Sequence, residues 1–453
     1  ALLFLLPASG SDAQVPEDGP SSTGFANPDS TQPVRAYRLP TWHWSTWTLQ
    51  ANGAAVRSSS HDENIEGPDQ EGDRTNLDLG VNPVYRSFWE SEDRRAFLRG
   101  SPFLSLSRLG ATTTRETDEE ELDNSAVATG VDLRGTVREY VADRTFLFAA
   151  TDGNVTYRRR RERIENEGEE ETIIDVKTQA DLRLGIGVGR VRVVTPVIRA
   201  LRVRERLRTV APGTSVSDAQ VQAAARQLAR RPGYQAVYDR PDKYFWRDFF
   251  DQVNLAERSA FETFYVADVL REPVGIRREG AEFVAGPFGT YDRDLRREER
   301  DDQLVDRTSF EAGTVGGFAR GRWYRNITLR HQLGVDAEAT YRHFVNSQGP
   351  LDHELGLDAE GQWLWVLADR LRLDTRLRAD VRFQSDPQGG ETFRPRHQYL
   401  LSSDLVLFIE NSLSLSAGAN VQYRYDATSG DRTSAFESGL QFRVNYILSR
   451  ALR

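Results

Sequence analysis

The chain has 453 residues, no cysteine, a formal net charge of −9 and 28% charged residues. These totals exclude a disulfide framework and thiolate chemistry, and an acidic chain with no compact basic patch argues against a nucleic-acid partner. No run of about twenty apolar residues offers a membrane helix, but this says nothing of barrel strands, which turn only alternate residues to lipid.

In chain order, Ala1–Ala13 reads as the apolar core of a secretory signal, with a small-x-small cleavage site at Ser11-Asp12-Ala13. Residues 14–40, rich in Pro, Ser, Gly and Asp up to Arg35, read as a flexible linker. Period-2 segments then recur at 42–52, 75–86, 99–109, 125–138, 144–157, 172–186, 281–291, 307–320, 323–341, 351–367, 370–384, 396–410, 412–425 and 434–448, giving 14 strands, with 12 or 16 the neighbouring counts. Charged stretches at 58–74, 112–124, 158–171, 292–306, 385–394 and 426–432 read as long mobile loops. Tight connections fall at 139–144, 321–322, 368–369 and 410–411. The two kinds alternate. If the N-terminus lies in the periplasm, every long loop falls outside the cell and every short turn in the periplasm, as in bacterial barrels.

Between strands 6 and 7 the pattern changes. Gly185-x-Gly187-x-Gly189 leads to Thr195-Pro196, a helix start with Thr as N-cap and Pro in the first turn. A second helix starts at Ser217, where Ser-Asp-Ala-Gln has capping-box spacing. Tyr244, Phe245, Trp246, Phe249 and Phe250 crowd a third, and Phe261, Phe264, Tyr265 and Val269 recur at helical spacing in a fourth. After six strands the chain is back on the periplasmic side, so the insertion lies in the periplasm or folds up into the lumen. The glycine run lacks the rest of a dinucleotide motif and reads as a flexible exit from the wall.

The expected fold is all-β: a transmembrane antiparallel up-and-down β-barrel of about 14 strands with an α-helical insertion. The expected divisions are 1–13 signal remnant, 14–40 linker, 41–188 strands 1–6, 189–276 insertion and 277–453 strands 7–14.

From Asp369 to Gln384 the chain reads DRLRLDTRLRADVRFQ. Alternation turns Leu371, Leu373, Leu377, Val381 and Phe383 to lipid, and Arg372, Asp374, Arg376, Arg378, Asp380 and Arg382 to the lumen. Parity adds Arg330, Asp336, Glu338, Glu354, Asp358, Glu360 and Asp404 to the lumen lining. A mainly acidic strand beside a mainly basic one predicts cross-strand ion pairs. Two readings stay open: the pairs satisfy a wet or plugged interior, or they set a field that selects charged solutes. Tyr244, Phe245, Trp246, Phe249 and Phe250 likewise either form the core of a small helical domain or bind a partner or glycan.

No catalytic constellation and no cofactor motif is evident. The six histidines show no metal-ligand spacing, and His353 and Glu354 fall on opposite faces of a strand. His331 falls in the lipid-facing set, which predicts a local bulge that reverses its parity.

The stretch from Gly185 through Tyr291 resembles a set of uncharacterised bacterial outer-membrane proteins. The likeness is carried by the Gly-rich strand end, the helix start Val194-Thr195-Pro196, the helix Lys243-Tyr244-Phe245-Trp246-Arg247-Asp248, and the return at Arg277-Arg278-Glu279-Gly280. It covers about a quarter of the chain and implies a barrel with a helical insert, without an activity. The expected function is a porin-like channel for charged or polar solutes in the outer membrane, in contact with lipid. The alternative is a membrane-anchored protein whose insert docks a periplasmic protein for envelope assembly or export.

Overall fold

The computed structural model describes residues 31–62, 70–115, 118–164, 169–210, 215–253, 260–272, 274–301, 303–345, 352–368, 370–385, 393–410, 413–427 and 432–446. The expected secretory segment and the linker up to residue 30 lie outside these.

Fourteen antiparallel strands form one sheet in sequence order. The first eight are β1 (Trp42–Asp62), β2 (Gln70–Glu90), β3 (Arg94–Arg115), β4 (Asp118–Tyr140), β5 (Thr145–Ile164), β6 (Glu169–Val193), β7 (Arg278–Arg300) and β8 (Gln303–Asn326). They are followed by β9 (His331–Val345), β10 (His353–Ala368), β11 (Leu371–Ser385), β12 (Phe393–Glu410), β13 (Leu413–Asp426) and β14 (Thr433–Tyr446). The expected up-and-down topology therefore holds. β1 and β14 end the order and are not hydrogen-bonded to each other among the described residues.

The sheet has the sidedness that period-2 sequence dictates. On β10 and β11, Leu355, Leu357, Trp363 and Leu377 are exposed on one face, while Glu354 and Asp374 are buried on the other. Leu77, Leu79 and Val81 of β2 and Leu182, Leu184 and Ile186 of β6 extend the exposed apolar face round the sheet. Aromatic rings bound that face. His331 stacks on Trp365 at 5.1 Å near the short turns, and Tyr341 stacks on His353 at 5.8 Å near the loops. His331 and Tyr341 lie ten residues apart on β9. That is roughly 33 Å of strand, or about 25 Å of height at the usual tilt, the thickness of the apolar band of a membrane barrel.

Three expectations need correction. First, β1 to β8 are 20–25 residues long, against 14–18 for β9 to β14. Much of what read as mobile loop is strand: β3 runs to Arg115 and β4 starts at Asp118, so residues 112–124 are mostly hairpin. Beyond the apolar band both faces meet water, so hydrophobic alternation stops while the ladder continues. Cross-strand ion pairs such as Arg108–Asp123 (3.0 Å) and Lys177–Asp294 (3.0 Å) decorate it.

Second, the tight turn placed at 321–322 lies at 327–330. There the Thr328 hydroxyl accepts from the backbone N–H groups of Arg330 and His331, both at 3.1 Å, and replaces a backbone partner in the reversal.

Third, the glycine run does not leave the wall. β6 continues to Val193, and Gly187 lies under the Phe146 ring, where a Cβ would come within 2.2 Å of it. Gly189 takes a φ of +87°, which favours glycine.

The insertion consists of α2 (Thr195–Val210), α3 (Asp218–Val237), α4 (Pro241–Val253) and α5 (Ala260–Ala267), closed by a 3-10 turn at Asp268–Arg271. The Ser217–Gln220 capping box forms as expected. The last part of the expected linker is not free. α1 (Gln32–Ala36) buries Val34 in the insertion's core, as does Tyr37 just after it.

Candidate functional site

On β9 to β11 the charged side chains of the face opposite the exposed apolar residues are held in ion pairs. Asp374, 9% exposed, accepts from Arg376 Nη2 at 3.0 Å and from Gln362 Nε2 at 3.1 Å. Arg382 gathers three carboxylates: Asp380 at 2.9 Å, Asp358 at 3.0 Å and Glu354 at 3.2 Å. Arg378 lies 3.9 Å from Asp358. On β9, Asp336 takes both arms of Arg320 at 2.9 and 2.7 Å, and Glu338 accepts from Arg183 at 2.7 Å.

The expected cross-strand ion pairs form between β10 and β11, as in Arg382–Glu354 and Arg382–Asp358, but among the described residues not between directly opposed ones. Register does set Glu360 opposite Arg378, but it also sets Asp358 opposite Asp380 and Asp374 opposite Asp404. Like charges directly opposed repel, so the ion pairs run along the strand to i+2 and on diagonals instead. Arg330 is not on a wall strand. It sits exposed in the 327–330 turn, and its carbonyl accepts from Arg277 at 3.0 Å.

Sequence reasoning missed the more deeply buried cluster. Glu282 of β7, 5% exposed, accepts from Arg322 Nε of β8 at 2.8 Å and meets Arg138 Nη1 of β4 at 3.3 Å. Phe146, Phe288 and Phe318 pack with Val284 beside it. The Arg183 guanidinium lies over the rings of Phe288 and Phe318 at 5.8 and 5.9 Å. Parity marked such residues as inward, but nothing in the sequence says that β4 reaches β7 or that β6 reaches β9. Curvature of the sheet decides that.

The insertion lies against the short-turn end of this face. Arg277, fully buried, donates to the carbonyls of Val274 (3.1 Å), Leu329 (3.2 Å) and Arg330 (3.0 Å), and so ties the insertion's exit to the β8–β9 turn. Burial, with Arg202 and Arg372 nearby, pushes its guanidinium down to about 9. Glu92, in the β2–β3 turn, accepts from Arg192 Nη2 at 2.9 Å and from the Leu39 N–H at 2.7 Å, and it also binds Arg190. Burial alone would raise this carboxyl, but these donors hold it below the usual carboxylate range. α3 packs against the start of β1, where Gly233 lies under Trp42 and Trp44.

A cavity of about 740 Å³ opens between insertion and wall. Thr195, Arg199, Glu272, Gly275 and Arg278 line it from the insertion and its exit. Glu360, Gln362, Arg372, Asp374 and Arg376 line it from β10 and β11.

Of the two readings of the aromatic row, domain core or partner surface, the core reading fits most of it. Phe245 and Phe249 are fully buried, and Trp246 and Phe250 pack half-buried against them. Tyr244 stacks on Tyr238 at 4.6 Å. The most exposed rings among the described residues of the insertion are instead Phe261 and Phe264 of α5, at 70% and 73%. The expected bulge at His331 is absent, since the β9 register runs unbroken. The imidazole keeps its outward parity and lies over Trp363 and Trp365. Ser403 meets Thr375 at 3.0 Å across the outward face.

An antiparallel up-and-down wall with an apolar exterior between two aromatic girdles and an ion-paired interior defines the class: an outer-membrane β-barrel. No protein-family model matches the sequence, and no curated protein is similar to it. Among solved structures, the chain is similar to the ferric preacinetobactin receptor BauA from Acinetobacter baumannii, at 7% identity and TM-score 0.38, covering 91% of this chain and 60% of that one. It is similar to the alcaligin outer-membrane receptor FauA from Bordetella pertussis at 10% identity and TM-score 0.35, with the same coverage. OpdQ from Pseudomonas aeruginosa overlaps at 8% identity and TM-score 0.22, covering 89% of this chain and 98% of that one. The chain thus spans about three fifths of the first two, and overlaps this weak give no grounds for transferring a ligand.

Proposed function

We propose that the protein is a porin-like transporter of small charged or polar solutes, with the helical insertion narrowing its periplasmic end. The observation that carries this reading is the cavity between insertion and wall, lined by Arg199, Arg278, Arg372 and Arg376 together with Glu272, Glu360 and Asp374. Guanidinium and carboxylate groups around one cavity of about 740 Å³ suit hydrated, charged or zwitterionic solutes rather than apolar ones. The wall strands reach this cavity from the loop end along a face of further ion pairs. A solute passing along it meets charges already oriented by their partners.

The test is planar-bilayer conductance of the refolded chain. Replacing Arg372, Arg376 and Arg378 with Gln should move the reversal potential toward cation selectivity. A lumen that does not conduct would show only a changed thermal stability, and absence of current at every voltage would count against the pore. One observation favours the second reading, an anchored docking protein. Phe261 and Phe264 leave a solvent-facing aromatic pair on the insertion. Changing both to Ser should leave conductance intact and abolish capture of a periplasmic partner under that reading.

A further inference from the structure

We propose that His343, Asp352 and His353 form a binding site for a borderline divalent transition-metal ion, Zn²⁺ foremost, at the loop end of the β9–β10 hairpin. The spacing in sequence hides it, because the two histidines are ten residues apart. Register brings them directly opposite each other across the strand pair, with ring centroids 4.8 Å apart. Asp352, the residue before β10, reaches both rings. One carboxylate oxygen lies 3.3 Å from His343 Nδ1 and the other 3.2 Å from His353 Nε2. The three donor atoms fall within 4.8 Å of one another. In a tetrahedral zinc shell with bonds of roughly 2.0–2.1 Å, neighbouring donors stand about 3.3 Å apart. The cluster needs little adjustment to close on an ion.

Two further features point to a ligand. His343 Nδ1 is buried and has no hydrogen-bond partner. The other ring nitrogen of His353, Nδ1, lies 2.9 Å from the Tyr341 hydroxyl. A partner on the remote nitrogen fixes the ring and leaves Nε2 for the metal, the outer-shell arrangement of histidine metal sites. Two protonated imidazoles stacked on one carboxylate would instead repel each other. Two imidazoles and one carboxylate suit zinc, nickel or copper, whereas calcium and magnesium take oxygen shells.

The three groups come from both sides of the connection between β9 and β10. A bound ion would therefore tie the hairpin's ends together and keep one position for water or a second ligand. The site lies on the outward face, at and beyond the Tyr341 girdle, apart from the charged lumen. It stands whether or not the barrel conducts.

The test is a Zn²⁺ titration by calorimetry on the full chain, without a histidine tag, refolded in detergent. Wild type should bind one ion per chain. His343→Ala and His353→Ala should each weaken binding at least 100-fold, and Tyr341→Phe by about tenfold. His397→Ala, on β12, should leave the affinity unchanged. Co²⁺ in place of Zn²⁺ should give the visible absorption of tetrahedral coordination in wild type and lose it in His353→Ala. Far-UV circular dichroism confirms that each variant has folded. Equal Zn²⁺ affinity in wild type and the His343→Ala/His353→Ala double variant would overturn the proposal, as would a folded wild type that binds no Zn²⁺.

Discussion

The guanidinium of Arg183 on β6 donates to the carboxylate of Glu338 on β9 at 2.7 Å, across two intervening strands. The same Glu338 lies 3.9 Å from Arg320 of β8. A contact over three strand spacings requires a sharply curved wall, and it closes part of the interior beside β6 to β9. Arg183→Gln and Glu338→Gln should each destabilise the barrel by about 1 kcal/mol, because each removes one partner of a half-buried charge, Arg183 keeping Asp181 at 3.1 Å and Glu338 keeping Arg320. The double variant should cost less than the sum. Denaturant unfolding of the four-member cycle measures the coupling, and a coupling near zero would show that the pair is only a proximity.

The insertion can be tethered without background chemistry, because the chain has no cysteine. A Cβ built on Gly233 of α3 lies 4.0 Å from the Trp44 Cβ of β1, within the range a disulfide spans. The Gly233→Cys/Trp44→Cys variant should form an intramolecular disulfide. If solute passage needs the insertion to shift, oxidation should lower conductance and dithiothreitol restore it. Conductance that ignores the redox state would mean that the path bypasses the insertion.

Glu92 gives the hold of the β2–β3 turn on β6 and on the Leu39 segment a pH dependence of known sign. Its folded-state value is depressed, so its contribution is fully present above the ordinary glutamate range and is lost as pH falls through the lower folded-state value. The acid-unfolding midpoint, followed by near-UV circular dichroism of the Trp42 and Trp44 region, should rise in Glu92→Gln. At neutral pH the same variant should lose about 1 kcal/mol after solvent screening of these partly exposed groups. A midpoint unchanged by the substitution would show that Glu92 does not hold β6 and the Leu39 segment.

The edges of β1 and β14 meet a stricter demand in a bilayer than in water. Unpaired backbone groups cost several kcal/mol each in hydrocarbon, so the two edges should pair there. A cysteine replacing Leu49 on β1, combined in turn with one replacing Leu440, Phe442 or Val444 on β14, should give an intramolecular disulfide for at least one pair in lipid. Crosslinks found only between chains would mean that a second copy fills the seam.

Legibility in the sequence followed the apolar band. Within it, alternation such as Leu371-Arg372-Leu373-Asp374 marked the strand and separated its two faces, with Leu377 exposed on one and Asp374 buried on the other. Beyond it, at Arg158–Arg163 of β5, both faces meet water and no alternation remains to mark the strand. The 327–330 turn was missed because Gly321-Arg322 carries a stronger turn signature than Thr328, whose side chain makes the actual reversal. The ring row at Tyr244–Phe250 told its helix apart, but whether a ring such as Phe245 is core or surface depends on what α3 lays over it.

By itself, then, the sequence determined the strand number, the up-and-down order, the sidedness of each strand and the place of the helical insertion. Each of these follows from local period and capping chemistry. Only the tertiary structure decided which side chains meet: Arg183 with Glu338, Glu282 with Arg138, His343 with His353, and Arg277 with the 327–330 turn. These contacts depend on register and sheet curvature, which are sums over many strand pairs, and no single segment of the chain encodes them.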